Sequence, residues 1–328
     1  MVTTIHDVAR RSGVSIATVS RALAGSSGVA PATRQKVQRI AADLGYQPNR
    51  AARQLVTGQG QAIGLVVPDL ENPFYAAVTK GVQRRARQAG FTAVVADTDE
   101  DVPTEREVLG QLGTGVDRII LASPRGPDQD LLELGARCRL TLLNRQIDTD
   151  PLAVPAVVPD NIDGMDQAIR HLRALGHRQI GYAGGPVTSW SDAQRRTGLP
   201  SAGDGDVQII DLGAFRPGRP GGVAAADEAI AAGVSAVLAF NDQLALGILG
   251  RLADRQVEVP EQMSVIGFDD VPVARLLQPA LTTVAVPAQQ MGAQAVDLVL
   301  GPDPAEAALI VQPVQLQVRR STAVRPSR

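Results

Sequence analysis

Apolar positions in the first 45 residues recur with helical spacing. Ile5, Val8 and Ala9 stand at i, i+3 and i+4, the stripe that one helix face buries. Thr4, followed three residues later by Asp7, is a variant of the capping box and predicts a first helix running to about Ser12. Gly13 can take the left-handed backbone that ends a helix. Ser15 offers a fresh N-cap only two residues on, so a second helix must leave at a sharp angle. Val19, Ala22 and Leu23 form its inward stripe, which leaves Ile16, Ala17, Ser20 and Arg21 on or near the outward face. Pro31 at a first helical position, then Val37, Ile40, Ala41 and Leu44, with Gly45 as the stop, predict a third helix that closes a small core. Helix, tight glycine turn, helix is the arrangement that places its second helix in a DNA major groove.

A short helical segment follows, Asn49 to Thr57, with Asn49 as N-cap and Gly58 as stop. Isolated helices below roughly 12 residues rarely persist in water, so this segment is expected to fold only against DNA. From residue 59 onward, short β-rich runs alternate with helical patterns, which argues for parallel sheets built from βαβ units. The predicted strands are 62–67, 92–96, 118–122, 141–143, 179–183, 208–211, 236–240 and 264–268. Helices are predicted over 73–88, 104–112, 128–137, 162–175, 223–231, 242–255 and 288–300. Eight strands suit two sheets, hence two lobes.

Charge sharpens the division. The 328 residues carry a net charge of −2, yet residues 1–58 hold eight basic side chains (Arg10, Arg11, Arg21, Arg34, Lys36, Arg39, Arg50 and Arg53) against Asp7 and Asp43. A stretch at +6 joined to a body at −8 is the asymmetry of a polyanion-binding module on an acidic partner domain. The first residues show no charged segment leading into an apolar one, and no apolar run approaches the roughly 18 residues of a membrane span, so a cytoplasmic protein is expected. Cys138 is the only cysteine, which excludes an intrachain disulfide or a thiolate cluster within one chain. His6, His171 and His177 are too scattered for a metal site. Gly58 and Gly60 precede a strand instead of following one, so they are no dinucleotide fingerprint. No nucleophile, base and orienting group stand together, so no enzyme and no cofactor are expected.

In open parallel sheets a ligand sits beyond the carboxyl ends of the strands. Residues there include Asp69, Asn72 and Phe74; Asp97; Ser123; Asn144 and Arg145; Trp190, Ser191 and Arg195; Asn241 and Asp242; Asp269 and Asp270. Fork-like polar groups mixed with aromatics suit a neutral, hydroxyl-rich ligand. Of these, Asn72, Asp242 and Asp270 are expected to be helix caps or turn residues. On the DNA side, Arg21 can grip a guanine edge with two parallel hydrogen bonds. Ile16 and Ala17 offer apolar contact to a thymine methyl, and Ser15, Thr18 and Ser20 suit phosphates.

Several stretches together resemble the lactose-repressor/galactose-repressor family: residues 4–15 (TIHDVARRSGVS), 17–23 (ATVSRAL), 44–50 (LGYQPNR), 68–75 (PDLENPFY), 160–164 (DNIDG), 171–180 (HLRALGHRQI), 240–247 (FNDQLALG) and 265–270 (VIGFDD). The resemblance covers nearly the whole chain. It implies an N-terminal all-α helix-turn-helix DNA-binding domain (1–45), a hinge helix and linker (46–58), and an α/β two-lobed, periplasmic-binding-protein-like core with parallel sheets (59–328). One lobe would span about 59–158 and 286–315. The other would span about 159–285 and the C-terminal tail, with three strands crossing between them. It implies that Ile16, Ala17 and Arg21 read operator bases and that Leu55 is a wedge driven into the minor groove, kinking the DNA. Thr4, Asn49 and Ala52 complete the DNA-contact candidates. For the effector it implies Arg195, Asn241 and Asp269 first, then Phe74, Asn144 and Trp190, with Ser191 beside them.

Two departures from the family pattern stand out. Ala30 occupies the place of a serine N-cap, at a cost on the order of 1 kcal/mol of helix stability. After Gly198 the family continues its helix for roughly ten residues, about three turns at 3.6 per turn, whereas here LPSAGDG (199–205) intervenes and predicts a truncated helix.

The resulting expectation is a nucleoid-associated homodimer that represses carbohydrate-utilisation genes at a near-palindromic operator, with a sugar-like molecule changing its affinity. Control by a nucleoside or other corepressor, or by a protein, stays open. A solute-binding protein for import would share the body but not the basic module. No leucine heptads follow Val318, so nothing argues for a tetramer bundle.

Overall fold

The computed structural model describes residues 5–23, 29–44, 62–113, 115–200, 206–301 and 308–325. The chain divides into two compact units, Met1–Gln61 and Ala62–Arg328.

In the first unit, α1 (Ile5–Ser12), α2 (Ile16–Leu23) and α3 (Pro31–Asp43) surround a core of Val8, Val19, Ala22 and Val37, each fully buried. Gly13 takes φ +71° and its N–H closes on Ala9 O at 2.9 Å, which stops α1. The Ser15 hydroxyl accepts the Thr18 N–H at 3.2 Å and starts α2. Ala30 provides no side-chain cap to α3, and Pro31 supplies its fixed φ at the helix start instead. Thr4, the expected cap of α1, lies outside the described residues, as do Gly45 and the whole 49–57 segment; Asp7 pairs with Arg10 one turn along α1.

The second unit holds two six-stranded sheets. The first combines β1 (Ala62–Val67), β2 (Thr92–Asp97), β3 (Arg118–Ala122), β4 (Arg139–Leu143), β5 (Ala156–Pro159) and β11 (Leu309–Gln312), in the order β11-β5-β4-β3-β1-β2, all parallel. The second combines β6 (Gln179–Gly184), β7 (Gln208–Ala214), β8 (Ala236–Ala239), β9 (Ser264–Asp269), β10 (Thr282–Ala285) and β12 (Gln315–Gln317), in the order β12-β10-β9-β8-β6-β7. Only the β10–β12 pair is antiparallel. The inner strands are buried on both faces, which is why they read as continuous apolar runs.

Helices cover both faces of each sheet. In the first lobe these are α4 (Pro73–Gln88), α5 (Val102–Leu112), α6 (Asp128–Gly135) and α11 (Ala288–Leu300); in the second, α7 (Asn161–Ala174), α8 (Trp190–Thr197), α9 (Arg219–Ala231) and α10 (Asp242–Asp254). Helices α4 and α11 cross at backbone contact: a Cβ at Gly81 would fall 2.0 Å from Gln289 O, and one at Gly292 2.4 Å from Val78 O.

The chain passes between lobes three times, after β5, after β10 and after β11. Strands β5, β10, β11 and β12, of three or four residues each, were not foreseen from the sequence, because runs that short carry little periodicity. The expected shortening is present: α8 has eight residues and ends at Thr197, with Gly198 as its C-cap.

Candidate effector cleft and nucleic-acid interface

On the first unit, Ser15, Ile16 and Arg21 are exposed, with Ile16 at 41%. Thr18 is half-buried, and its hydroxyl lies 2.9 Å from that of Ser15. Arg10, Arg11, Lys36 and Arg39 are exposed too, so the basic excess is on the surface. Ala17 and Ser20 lie in α2, but their side chains are outside the description; Asn49, Ala52 and Leu55 lie outside the described residues altogether.

In the second unit, the carboxyl ends of both sheets face one another across a cleft. From the first lobe come Asn72, Phe74, Tyr75, Glu100, Arg125 and Asn144; from the second come Ser191, Arg195, Pro217, Phe240, Asn241 and Asp269. The lobes are closed so far that only about 10 Å³ remains between these side chains, roughly the least that holds one water. A sugar-sized molecule therefore requires the lobes to part.

Arg195 is the most heavily engaged of these residues. Its side chain is 3% exposed, and its guanidinium lies 3.6 Å from the Phe268 ring centroid and 4.8 Å from that of Phe240. Nε donates to Asn161 Oδ1 at 2.9 Å and Nη1 donates to the Phe240 carbonyl. Nη2 stands 3.9 Å from Asp269 Oδ1, too far for a hydrogen bond but close enough for charge attraction. Burial pushes the Asp269 carboxyl well above the usual carboxylate range, against the pull of Arg195 and with a further push from Asp242.

Asn241 lines the cleft as the N-cap of α10, its Oδ1 accepting the Leu244 N–H at 3.0 Å. On the opposing lobe, the Ser123 hydroxyl accepts from Tyr75 Oη at 2.9 Å and from Asn144 Nδ2 at 2.8 Å, while Asn144 Oδ1 is buried without a partner. Burial pushes the Tyr75 phenol up to about 12, so it stays neutral.

The backbone is strained where these groups converge. Asp99, Glu100, Ser123, Asn144, Asp269 and Asp270 all have positive φ, between 47° and 119°; among the described non-glycine residues only Gln256 shares this and lies elsewhere. Such strain persists where surrounding packing over-determines it, characteristically at ligand-binding loops.

Trp190 requires a correction. It is half-buried at the start of α8 and does not line the cleft. Ser191 and Arg195, four residues apart, share the cleft-facing side of that helix, which turns Trp190 away. Asp69 and Asp97 are spent on turns, accepting the N–H groups of Glu71 and of Leu70 and Asp99; Arg145 pairs with Asp128. Asn72 caps α4 through the Phe74 N–H. Asp270 pairs with Arg275 and Arg319.

Residues 4–49 match the family of bacterial regulatory proteins, lacI family, and residues 169–322 match a periplasmic binding protein-like domain. The HTH-type transcriptional regulator GalS of Salmonella typhimurium (strain LT2) is 35% identical over 304 residues, covering 90% of this chain and 89% of GalS. The chain belongs to the LacI family. This LacI-family protein is thus a DNA-binding transcriptional regulator and not an enzyme. Its fold matches a crystal structure of the lac repressor dimer bound to operator and the anti-inducer ONPF, with a TM-score of 0.86, 28% identity, and coverage of 98% of this chain and 100% of that one. It also matches a complex of the transcriptional regulator CelR with cellobiose, with a TM-score of 0.69, 30% identity, and coverage of 97% and 99%.

Two charged cleft residues of this LacI-family regulator escaped the sequence reading. Glu100 and Arg125 sit three residues past the ends of β2 and β3. Arg125 is 4% exposed and donates to Glu100 at 3.0 Å. The only available signal was the polar run at 97–101 and the isolated basic residue in SPRGP (123–127).

Among the described residues no helix is long and apolar enough to cross a membrane, and no cluster of His, Cys, Asp and Glu could hold a metal ion.

Proposed function

We propose that this regulator represses carbohydrate-utilisation genes as a homodimer, placing two recognition helices in successive major grooves of a near-palindromic operator, and that a sugar-like molecule in the cleft changes its operator affinity. In this reading Arg21, Ile16 and Ala17 touch bases; Thr4, Ser15, Thr18 and Ser20 take phosphates. Asn49, Ala52 and Leu55 belong to a hinge helix that forms on DNA, with Leu55 as its wedge. Arg195, Asn241, Asp269, Asn144, Ser191 and Phe74 hold the effector. The protein works in the cytoplasm, on the nucleoid.

The observation that carries the reading is the convergence of Arg195, Asn241 and Asp269 from one lobe with Asn144 from the other around a closed cleft. A ligand with different affinity for the closed and open arrangements shifts the population between them, and linkage carries the shift to the operator. Selection of bound duplexes from a random DNA library, with and without a panel of sugars, tests it. A palindrome whose enrichment one sugar abolishes identifies an inducible repressor. A ligand that increases enrichment identifies a corepressor, and absence of enrichment under every condition refutes the reading.

A further inference from the structure

Helix α8 carries two of the cleft residues, Ser191 and Arg195, on a length of only eight residues. A helix that short has little persistence of its own, so its place is set by what it is tied to. The tie is Asp192, which is 4% exposed and does not line the cleft. Its Oδ1 accepts the Tyr182 phenol at 2.7 Å and the Gly185 N–H at 2.6 Å, and its Oδ2 accepts Arg196 Nε at 2.7 Å. Tyr182 is fully buried in β6, and Gly185 directly follows that strand, so one carboxylate fastens the first turn of α8 to the end of β6. Arg196 carries the tie on to β7, donating to Asp211 at 2.9 Å with its guanidinium 5.0 Å from the Tyr182 ring centroid.

The grip on Gly185 leads back to the effector arginine. A Cβ at Gly185 would stand 2.7 Å from the Phe240 ring, so the backbone that Asp192 holds packs on that ring with no room for a side chain between them. The same Phe240 lies 4.8 Å from the Arg195 guanidinium and accepts from its Nη1 through the carbonyl. Asp192 therefore locates Arg195 by two routes, the helix they share and the glycine packed on Phe240.

Resting on the reading that Ser191 and Arg195 hold the effector, we propose that Asp192 is a positioning residue for effector binding, fixing the separation of α8 from β6 at which Arg195 meets its ligand. A buried carboxylate that accepts three hydrogen bonds is a stiff support, because each lost bond would leave a polar group unpaired. A binding group whose support is loosened loses affinity although the group itself is still present.

The probe is whichever neutral pentose, hexose or disaccharide binds the parent protein in calorimetric titration, and the full-length variants are compared well below their unfolding midpoints. Asp192→Ala is expected to weaken that sugar at least about tenfold. Asp192→Asn keeps an oxygen for Tyr182 and Gly185 and should restore binding to within about threefold of the parent. Trp190, the chain's only tryptophan and the first residue of α8, reads the helix directly: its quenching by acrylamide should rise in the alanine variant and return toward the parent value in the asparagine one. If the alanine variant does not fold, Tyr182→Phe removes a single hydroxyl from the tie and should weaken the sugar several-fold. A residue that only stabilised the fold would lower the unfolding midpoint and leave the sugar's affinity at the parent value; that result overturns the positioning role and leaves the cleft reading standing. A parent protein that binds no sugar of the panel overturns both.

Discussion

Arg216 of the second lobe donates to both the backbone carbonyl (3.1 Å) and the carboxylate (2.6 Å) of Asp99 in the first, tying the lobes together beside the cleft. Both side chains are well exposed, 65% and 85%, so the pair is screened and contributes under about 1 kcal/mol to folding. Its effect should be on opening. Arg216→Gln is expected to leave the unfolding midpoint within a few degrees of the parent and to raise the association rate of any cleft ligand, read by stopped-flow fluorescence. An unchanged rate would show that the pair does not restrain the lobes.

The Asp242 carboxylate accepts from Thr283 Oγ1 at 2.6 Å and from the Val271 N–H at 2.8 Å, and burial pushes its pKa up to about 7. The native state then holds this proton more tightly than the unfolded chain, where an Asp titrates near ~3.9. Its contribution to stability is therefore greatest below about pH 4, declines as pH rises, and levels off above about pH 7, with a slope of at most ~1.4 kcal/mol per pH unit. Asp242→Asn should flatten that decline. Urea unfolding at pH 5, 6 and 7 reads the difference, and parallel pH dependences in the two proteins would rule out this residue as its source.

Arg21→Ala should reduce the preference for operator over random DNA by about 10- to 100-fold, the worth of one two-point contact to a guanine. The module's core is formed by other residues, so folding should be spared. Competition binding against both DNAs at fixed salt measures the ratio. A ratio equal to that of the parent would exclude Arg21 from base reading.

Gly292→Ala would bring a methyl group 2.4 Å from Val78 O and force α4 and α11 apart. The expected cost is about 1–3 kcal/mol, seen as a lower denaturation midpoint at an unchanged m-value. An alanine variant as stable as the parent would mean that this crossing is far more yielding than its geometry.

The helix-turn-helix core was legible because each helix is amphipathic and the turn chemistry is local: Gly13 and Ser15 specify stop and start without help from distant residues. Buried strands such as Ala62–Val67 and Arg118–Ala122 were equally plain as apolar runs between turns. The cleft was read only in part. Asn144 and Asp269 stand at strand ends, where chain direction alone implies a ligand, whereas Arg125 reaches the cleft through a grip by Glu105, twenty residues back, that no periodicity encodes. Trp190 misled for the opposite reason. Its chemistry suited a sugar, but the phase of α8, set by the buried Arg195, directs it elsewhere.

The concentration of left-handed residues on the cleft loops has a consequence for engineering. Replacing Asn144 by glycine would ease its left-handed backbone but free the unfolded chain and delete an amide from the cleft wall. Replacing Ser123 would remove the acceptor shared by the buried Tyr75 phenol and Asn144 amide. Backbone ease and the polar chemistry of the cleft therefore compete at the same positions in these loops.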